Sequence, residues 1–293
     1  MNDPSMVSTV ASAGTPGVWV DAVGQRHAPA AGEVRIASLV PSVTQLLFDL
    51  GLGERMVART GFCIHPEPAV RAVAKVGGTK DVKLDRLREL APTHVVVNID
   101  ENRKETVDEI RAFVPHVIVT HPCAPEDNFA LYRLLGGIFG RVAEAEALSA
   151  GLRAALDEMG ARQWPPRRVL YAIWQDPWMT VSRDTYISRM LALVNWRTWP
   201  DDTPAACVDG DCVRPNAPGE RYPTFRWSDA LVRELDCVLL SSEPYRFTED
   251  HADALERQIG KPVLCVDGEM LSWYGSRAVA GVRYLAGLAA QLG

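Results

Sequence analysis

No stretch of the 293-residue sequence approaches the roughly 20 consecutive apolar residues that a membrane-crossing helix needs. Nor is there a long basic run. With 31 Lys and Arg against 37 Asp and Glu, the formal net charge is -6, which argues against nucleic acid or an anionic membrane as the main partner. The opening MNDPSMVSTVASAGTPG has no Lys or Arg and no apolar centre, so it does not read as a secretory leader. The chain as written is expected in the cytoplasm, or in the periplasm if the true start lies upstream. Also absent are a G-x-S-x-G elbow, a Walker loop, a G-x-G-x-x-G fingerprint and any H-x-x-x-H pair among the six histidines. Nothing therefore marks a nucleophile, a phosphate cradle or a zinc site. Cysteine is sparse: of six residues only Cys207 and Cys212, in CVDGDC, are close enough for a disulfide or a metal half-site, and a single C-x4-C is weak grounds for either.

What is present is an internal repeat. DRLRELAPTHVVVNIDENR (85–103) and DALVRELDCVLLSSEPYR (229–246) each read as a short helix ending in Glu-Leu, an apolar strand, and a polar loop closing on Arg. The first copy is preceded by VRIASLVPS and followed by ETVDEIRAF and PHVIVTHP; the second is preceded by RRVLYAIWQDP and followed by HADALERQIG and KPVLCVDGE. Strands alternating with helical patterns predict βαβ units and a parallel sheet in each half. The fold class is α/β: two Rossmann-like lobes, over 34–124 and 163–293. Between them, over 125–162, apolar residues at helical spacing without an internal proline predict a single long α-helix, roughly 50 Å if continuous at about 1.5 Å per residue. Gly136, Gly137 and Gly140 are the positions at which it could break. Residues 1–33 read as a lead and a small hairpin, and 199–223, rich in Pro, Asp and Gly, as a surface insertion without a counterpart in the first half.

In open parallel sheets, ligands bind beyond the carboxyl ends of the strands, where loops converge. In the first half those ends carry Ser42 and Thr44, then Asn98, Asp100, Glu101, Asn102 and Arg103, then His121 and Cys123. In the second half they carry Trp174, Asp176 and Trp178, then Ser242, Glu243, Tyr245 and Arg246, then Asp267, Glu269, Trp273 and Tyr274. Ser42 and Thr44 also suit helix N-caps, and Asp100, Glu101 and Asn102 suit a helix N-terminus. The aromatics after the second-half strands form either a ligand platform or packing against the interlobe helix.

In series, VRIASLVPSVTQLLFDLGLGERMVART, VGGTKDVKLDRLRELAPTHVVV, the interlobe helix, VLLSSEPY and KPVLCVDGEMLSWYGSRAVAGVRYLAGL resemble the substrate-binding proteins of ABC importers for vitamin B12, iron-siderophore or haem. These are the helical-backbone metal receptors, and the resemblance runs over about residues 18–293 except the 200–220 loop. It implies the class III periplasmic-binding-protein-like fold, a ligand in the interlobe cleft, little hinge motion, and neither catalysis nor a cofactor of the protein's own. Cobalamin-type members clamp a corrin between aromatics of both lobes; the resemblance implies that role for Trp273 (in SWYGSR) and Phe62 (in TGFCIHPE), with Trp174 facing the same cleft. Such receptors dock on the permease through one carboxylate per lobe. Asp85, in KLDRL, matches the first, whereas Gly275 and Ser276 stand where the second belongs.

Three hypotheses follow. The leading one is a monomeric binding protein for a bulky metal complex, a corrinoid first, a ferric siderophore or haem next, either coupled to an ABC permease or free of one. Its ligand-binding candidates are Ser42, Phe62, His65, Asn98, Glu101, Arg103, Trp174, Asp176, Trp178, Glu243, Tyr245, Arg246, Glu269, Trp273 and Tyr274. An anionic siderophore would call on Arg103, Lys104, Arg183 and Arg246, which the acidic rims oppose. The second hypothesis is a small-molecule enzyme using Asp176, Glu243 or Glu269 as acid and base. The third is bare-metal binding by His65, His121 and nearby carboxylates.

Overall fold

The computed structural model describes residues 17–200 and 221–292. Cys207, Cys212 and most of the insertion lie outside these residues. The chain opens with an antiparallel hairpin, β1 (Trp19–Val20) and β2 (Arg26–His27). The first lobe follows, built on β3 (Ile36–Ser38), β4 (Met56–Arg59), β5 (Ala74–Lys75), β6 (His94–Asn98) and β7 (His116–Thr120) with helices α1 (Pro41–Asp49), α2 (Leu84–Glu89) and α3 (Lys104–Arg111). Its strands are all parallel, in the order β5-β4-β3-β6-β7. β-Branched runs such as Val95, Val96 and Val97 are buried throughout, as expected of strands covered on both faces.

Two helices cross to the second lobe, α4 (Asp127–Ile138) and α5 (Val142–Gly160). There β8 (Arg167–Ala172), β9 (Trp196–Thr198), β10 (Cys237–Ser241) and β11 (Val263–Val266) form a parallel sheet in the order β11-β10-β8-β9. Its helices are α6 (Tyr186–Ala192), α7 (Asp229–Glu234), α8 (Glu249–Ile259), α9 (Gly268–Ser272) and α10 (Arg277–Gln291). The repeat is thus architectural: β8, β10 and β11 hold the places in this sheet that β3, β6 and β7 hold in the other.

The expected single interlobe rod is instead two helices broken at 139–141. Gly140 takes a left-handed conformation (φ 66°) that ends α4, as glycine commonly does at a helix C-terminus. The same glycines let neighbours close in: a Cβ on Gly136 would sit 2.5 Å from that of Ala145, and one on Gly137 would enter the Trp19 indole. α5 alone, at about 1.5 Å per residue, spans roughly 28 Å.

One core runs through both lobes along the helical side, including Leu46 of α1, Tyr132 and Leu135 of α4, Leu152 of α5, Tyr171 of β8, Met190 of α6 and Leu285 of α10. Each sheet has a second, private core on its other face, around Val95 and Ile110 in the first lobe and around Val238 and Phe247 in the second. Polar ties reinforce the shared side. Asn128 Oδ1 accepts from the Gly275 N–H (2.6 Å), Tyr132 Oη donates to the Gly275 carbonyl (2.8 Å), Arg277 Nε donates to Gln45 (3.0 Å) and Ser276 donates to Asp49. Gly275 is consequently buried between the lobes.

Candidate functional site

A cavity of about 470 Å³ opens between the carboxyl ends of the two sheets. The first lobe supplies Pro41 and Ser42 at the start of α1, Phe62 and Ile64 from the loop after β4, and Asn98, Asp100 and Glu101 from the end of β6. The second lobe supplies Thr185, Tyr186 and Ile187 at the start of α6, Arg221 and Tyr222, Glu243 and Pro244 after β10, and Ser272, Trp273 and Tyr274 after α9.

The apolar strand β10 ends at Ser241, whose buried hydroxyl accepts from Tyr171 Oη (3.0 Å) and from the Glu243 N–H (3.3 Å). That turn directs Glu243 into the cavity wall. Its Oε1 then accepts from Ser272 Oγ (2.7 Å) and from the Trp273 indole N–H (2.8 Å), so the carboxyl sets the orientation of the indole. Across the cleft, Glu101 Oε1 accepts from Tyr274 Oη at 2.8 Å, joining the lobes directly. Desolvation by burial is the main cause that raises the Glu243 carboxyl and pushes Glu101 up to about 7; donation from Tyr274 opposes this and the negative charge of Glu243 adds to it. The Tyr274 hydroxyl is raised in turn, by burial first and then by Glu101.

At the mouth, Arg221 of the second lobe reaches the first. It lies 3.2 Å from the Asp100 carboxylate, which His121 also approaches at 3.4 Å, and it donates to Cys123 Sγ. The loop bearing Phe62 is held by Arg59, a buried guanidinium that donates to the carbonyls of Thr60, Cys63 and Val70. Phe62 itself is 64% exposed at the rim.

Of the candidates, Ser42, Phe62, Asn98, Glu101, Glu243, Trp273 and Tyr274 lie in the cavity wall. His65 and Glu269 sit behind it: their side chains meet at 3.0 Å, the imidazole stands edge-on to Trp273 at 5.5 Å, and Arg277 pairs with Glu269 at 2.9 Å. The other aromatics pack chiefly on one another. Trp178 stacks on Phe247 and meets Phe225 and Trp227, while Tyr245 joins Phe247 to the partly exposed Trp174. Arg103, Asp176 and Arg246 are exposed and outside the wall. Asp85 projects from α2, paired with Arg88 at 2.8 Å.

The capping expectations also change. The cap of α1 is Val40; Thr44 Oγ1 instead donates back to the Val40 carbonyl (2.9 Å), and Ser42 is buried in the first turn and makes no cap. Asn102 caps nothing and folds back to accept from the Asn98 N–H at 2.9 Å. Arg221 and Tyr222 were not foreseen because they end an insertion that the repeat does not contain. The three carboxylates offered as acid and base are dispersed, with Asp176 outside the cavity and Glu269 engaged by Arg277 and His65. Among the described residues, no three His, Cys, Asp or Glu side chains are grouped to hold a metal, and no helix is long and apolar enough to cross a membrane.

This architecture has known counterparts. A family profile described as periplasmic binding protein matches residues 36–206. Over 265 residues the chain is 19% identical to a vitamin B12-binding protein of Pectobacterium atrosepticum, covering 88% of this chain and 89% of that one. The fold is similar to the periplasmic vitamin B12 binding protein BtuF of Vibrio cholerae, with a TM-score of 0.68 at 15% identity over 88% of this chain and 96% of that one. It is equally similar to the periplasmic heme-binding protein RhuT of Roseiflexus sp. RS-1, with a TM-score of 0.68 at 20% identity over 88% and 100% of the two chains. With more than half its length matched and its two lobes built alike, the chain belongs to the periplasmic binding protein family.

Proposed function

We propose that this protein binds a corrinoid in the interlobe cleft and delivers it to an ABC-type importer. The observation that carries the reading is the character of the cavity wall. Aromatic side chains from both lobes, the exposed Phe62 and the largely buried Trp273, line the cavity with the carboxyls of Asp100, Glu101 and Glu243, and the one cation of the described wall, Arg221, is already paired with Asp100. Apolar faces suit a flat macrocycle. Haem carries two carboxylates, and catecholate or carboxylate siderophores are anionic; each calls for basic groups that this wall does not offer free. A corrin ring fringed with amides has no such need. The vitamin B12-binding relative supports the same ligand class. Asp85, exposed on the first lobe, is the proposed contact with the permease.

Tryptophan-fluorescence titration with cobalamin, haem and a ferric siderophore, in the wild type and in Trp273→Ala, tests the proposal. Saturable quenching by cobalamin alone, weakened about tenfold or more by the substitution, is the expected result; tenfold corresponds to about 1.4 kcal/mol, well within what a buried aromatic contact supplies. Quenching by haem or the siderophore but not by cobalamin would replace the corrinoid.

A further inference from the structure

Glu101 and Glu243 share an unusual arrangement. Each is partly buried in the cavity wall, and each has Oε1 anchored, by Tyr274 in one case and by Ser272 and Trp273 in the other. The second oxygen, Oε2, of each takes no hydrogen bond from any described residue. The anchors hold each carboxyl in the wall, so two acceptors stand there from opposite lobes with no hydrogen bond from a described residue on their second oxygens. One cation lies in the described wall and another just outside it, the exposed Lys80. Arg221 is held by Asp100 and Cys123, and Lys80 donates to the Asp100 carbonyl.

We propose that Glu101 and Glu243 are specificity-determining residues that accept N–H groups from the ligand's edge, so that the cleft takes macrocycles bearing carboxamide side chains and rejects those bearing carboxylates. The choice of ring rests on the corrinoid reading; the choice of side chain does not. An amide N–H donates to a free carboxyl oxygen, and when the carboxyl is protonated it also donates to the amide oxygen. A ligand carboxylate at the same place meets like charge wherever these carboxyls are ionised, in a poorly solvated site whose one cation among the described wall residues, Arg221, is already paired with Asp100. Discrimination thus comes from repulsion of the wrong ligand as well as from attraction of the right one.

The test uses the full-length protein and two matched pairs of probes: cobinamide with cobyrinic acid, and the diamide of iron protoporphyrin with iron protoporphyrin itself. Affinities are measured by titration at one ionic strength in the wild type, Glu101→Gln and Glu243→Gln, each first shown by circular dichroism and melting to be folded. The expected result is that, in whichever ring class binds, the amide member binds at least about tenfold tighter than its acid, and that either glutamine variant narrows the ratio by strengthening the acid. Because Glu243 also orients Trp273, its variant is expected to weaken both members of a pair, so the ratio and not the affinity is the readout. A ratio near one in the wild type, an acid that binds tighter, or a ratio unchanged in both variants would overturn the inference. Binding of the porphyrin pair alone would remove the corrinoid reading while the porphyrin ratio still decides the role of the carboxyls. Binding of neither pair would overturn both.

Discussion

A Cβ added at Gly268 would lie 2.6 Å from Glu243 Cγ and 3.0 Å from the Glu243 nitrogen, and it would also meet the Ser241 hydroxyl. The first residue of α9 therefore has to be glycine for β10 to end where it does. The Gly268 N–H donates to Ser242 Oγ at 2.9 Å, which closes the turn from the other side. Gly268→Ala should displace Glu243, and with it the indole that Glu243 orients. Overpacking of this kind costs about 1–3 kcal/mol. We expect a lower melting temperature together with a shifted Trp emission spectrum and at least severalfold weaker binding of the ligand; wild-type emission and affinity would show that the turn absorbs the methyl. At this scale the sequence showed the carboxylate and the aromatics as strand-end residues. It did not show that Ser272 and Trp273 share Glu243, because that link joins two loops whose approach depends on β10 and β11 pairing in register.

Among the elements, β6 and β7 pair with His94 opposite His116, and the two rings stack at 4.6 Å while Phe139 closes on His94 edge-on at 5.2 Å. Burial, then the nearby His116 and His27, hold the His94 imidazole down to about 4, against an ordinary value near 6.5. Between these values the unfolded chain binds a proton that the folded chain refuses. Stability should accordingly fall as pH drops from about 6.5 to about 4, with no further loss from this group below that. His94→Gln cannot titrate, so its melting temperature, measured from pH 7 to pH 4, should decline less steeply than that of the wild type. Parallel curves would show that His94 contributes nothing to the acid response. The pairing of His94 and His116 could be read from the sequence only as two histidines that open strands. Likewise the helical spacing over 125–162 was legible, but not the break: Gly140 permits a left-handed turn, and the packing of Gly136 and Gly137 against Ala145 and Trp19 decides it.

In the whole molecule, the shared core and the ties around Gly275 set how the lobes can move. Asn128 is fully buried and serves three groups there, the Gly275 N–H, the Pro125 carbonyl and Tyr186 Oη. Closing the cleft by a hinge would have to break those bonds and part apolar surfaces buried on both sides. Small-angle scattering should therefore give the same radius of gyration with and without a saturating ligand, to within about 1 Å, whereas hinge closure of the kind seen in other binding proteins would contract it visibly. Asn128→Ala, which leaves the Gly275 N–H buried and unpaired, should lower stability by about 1–3 kcal/mol in a denaturant titration.

The order of apolar strands and helical stretches determined the fold class without help from the structure: alternation along the chain specifies βαβ units, and their repetition specifies two lobes, because each strand must bury both faces beneath helices that the next segment supplies. The same local pattern located the strand-end loops that bear Glu101, Glu243, Trp273 and Tyr274. Only the tertiary structure decided which of those residues meet. Trp174, Trp178 and Tyr245 had the same claim on the cleft as Trp273, yet Trp178 and Tyr245 pack with Phe225, Trp227 and Phe247 and Trp174 leans on Tyr245, while Arg221 and Tyr222 enter the cavity wall from an insertion with no partner in the repeat. Strand periodicity acts over a few residues, whereas the direction of a loop is settled by what the other lobe leaves unfilled. The wall of the cavity is therefore a property of the two lobes together.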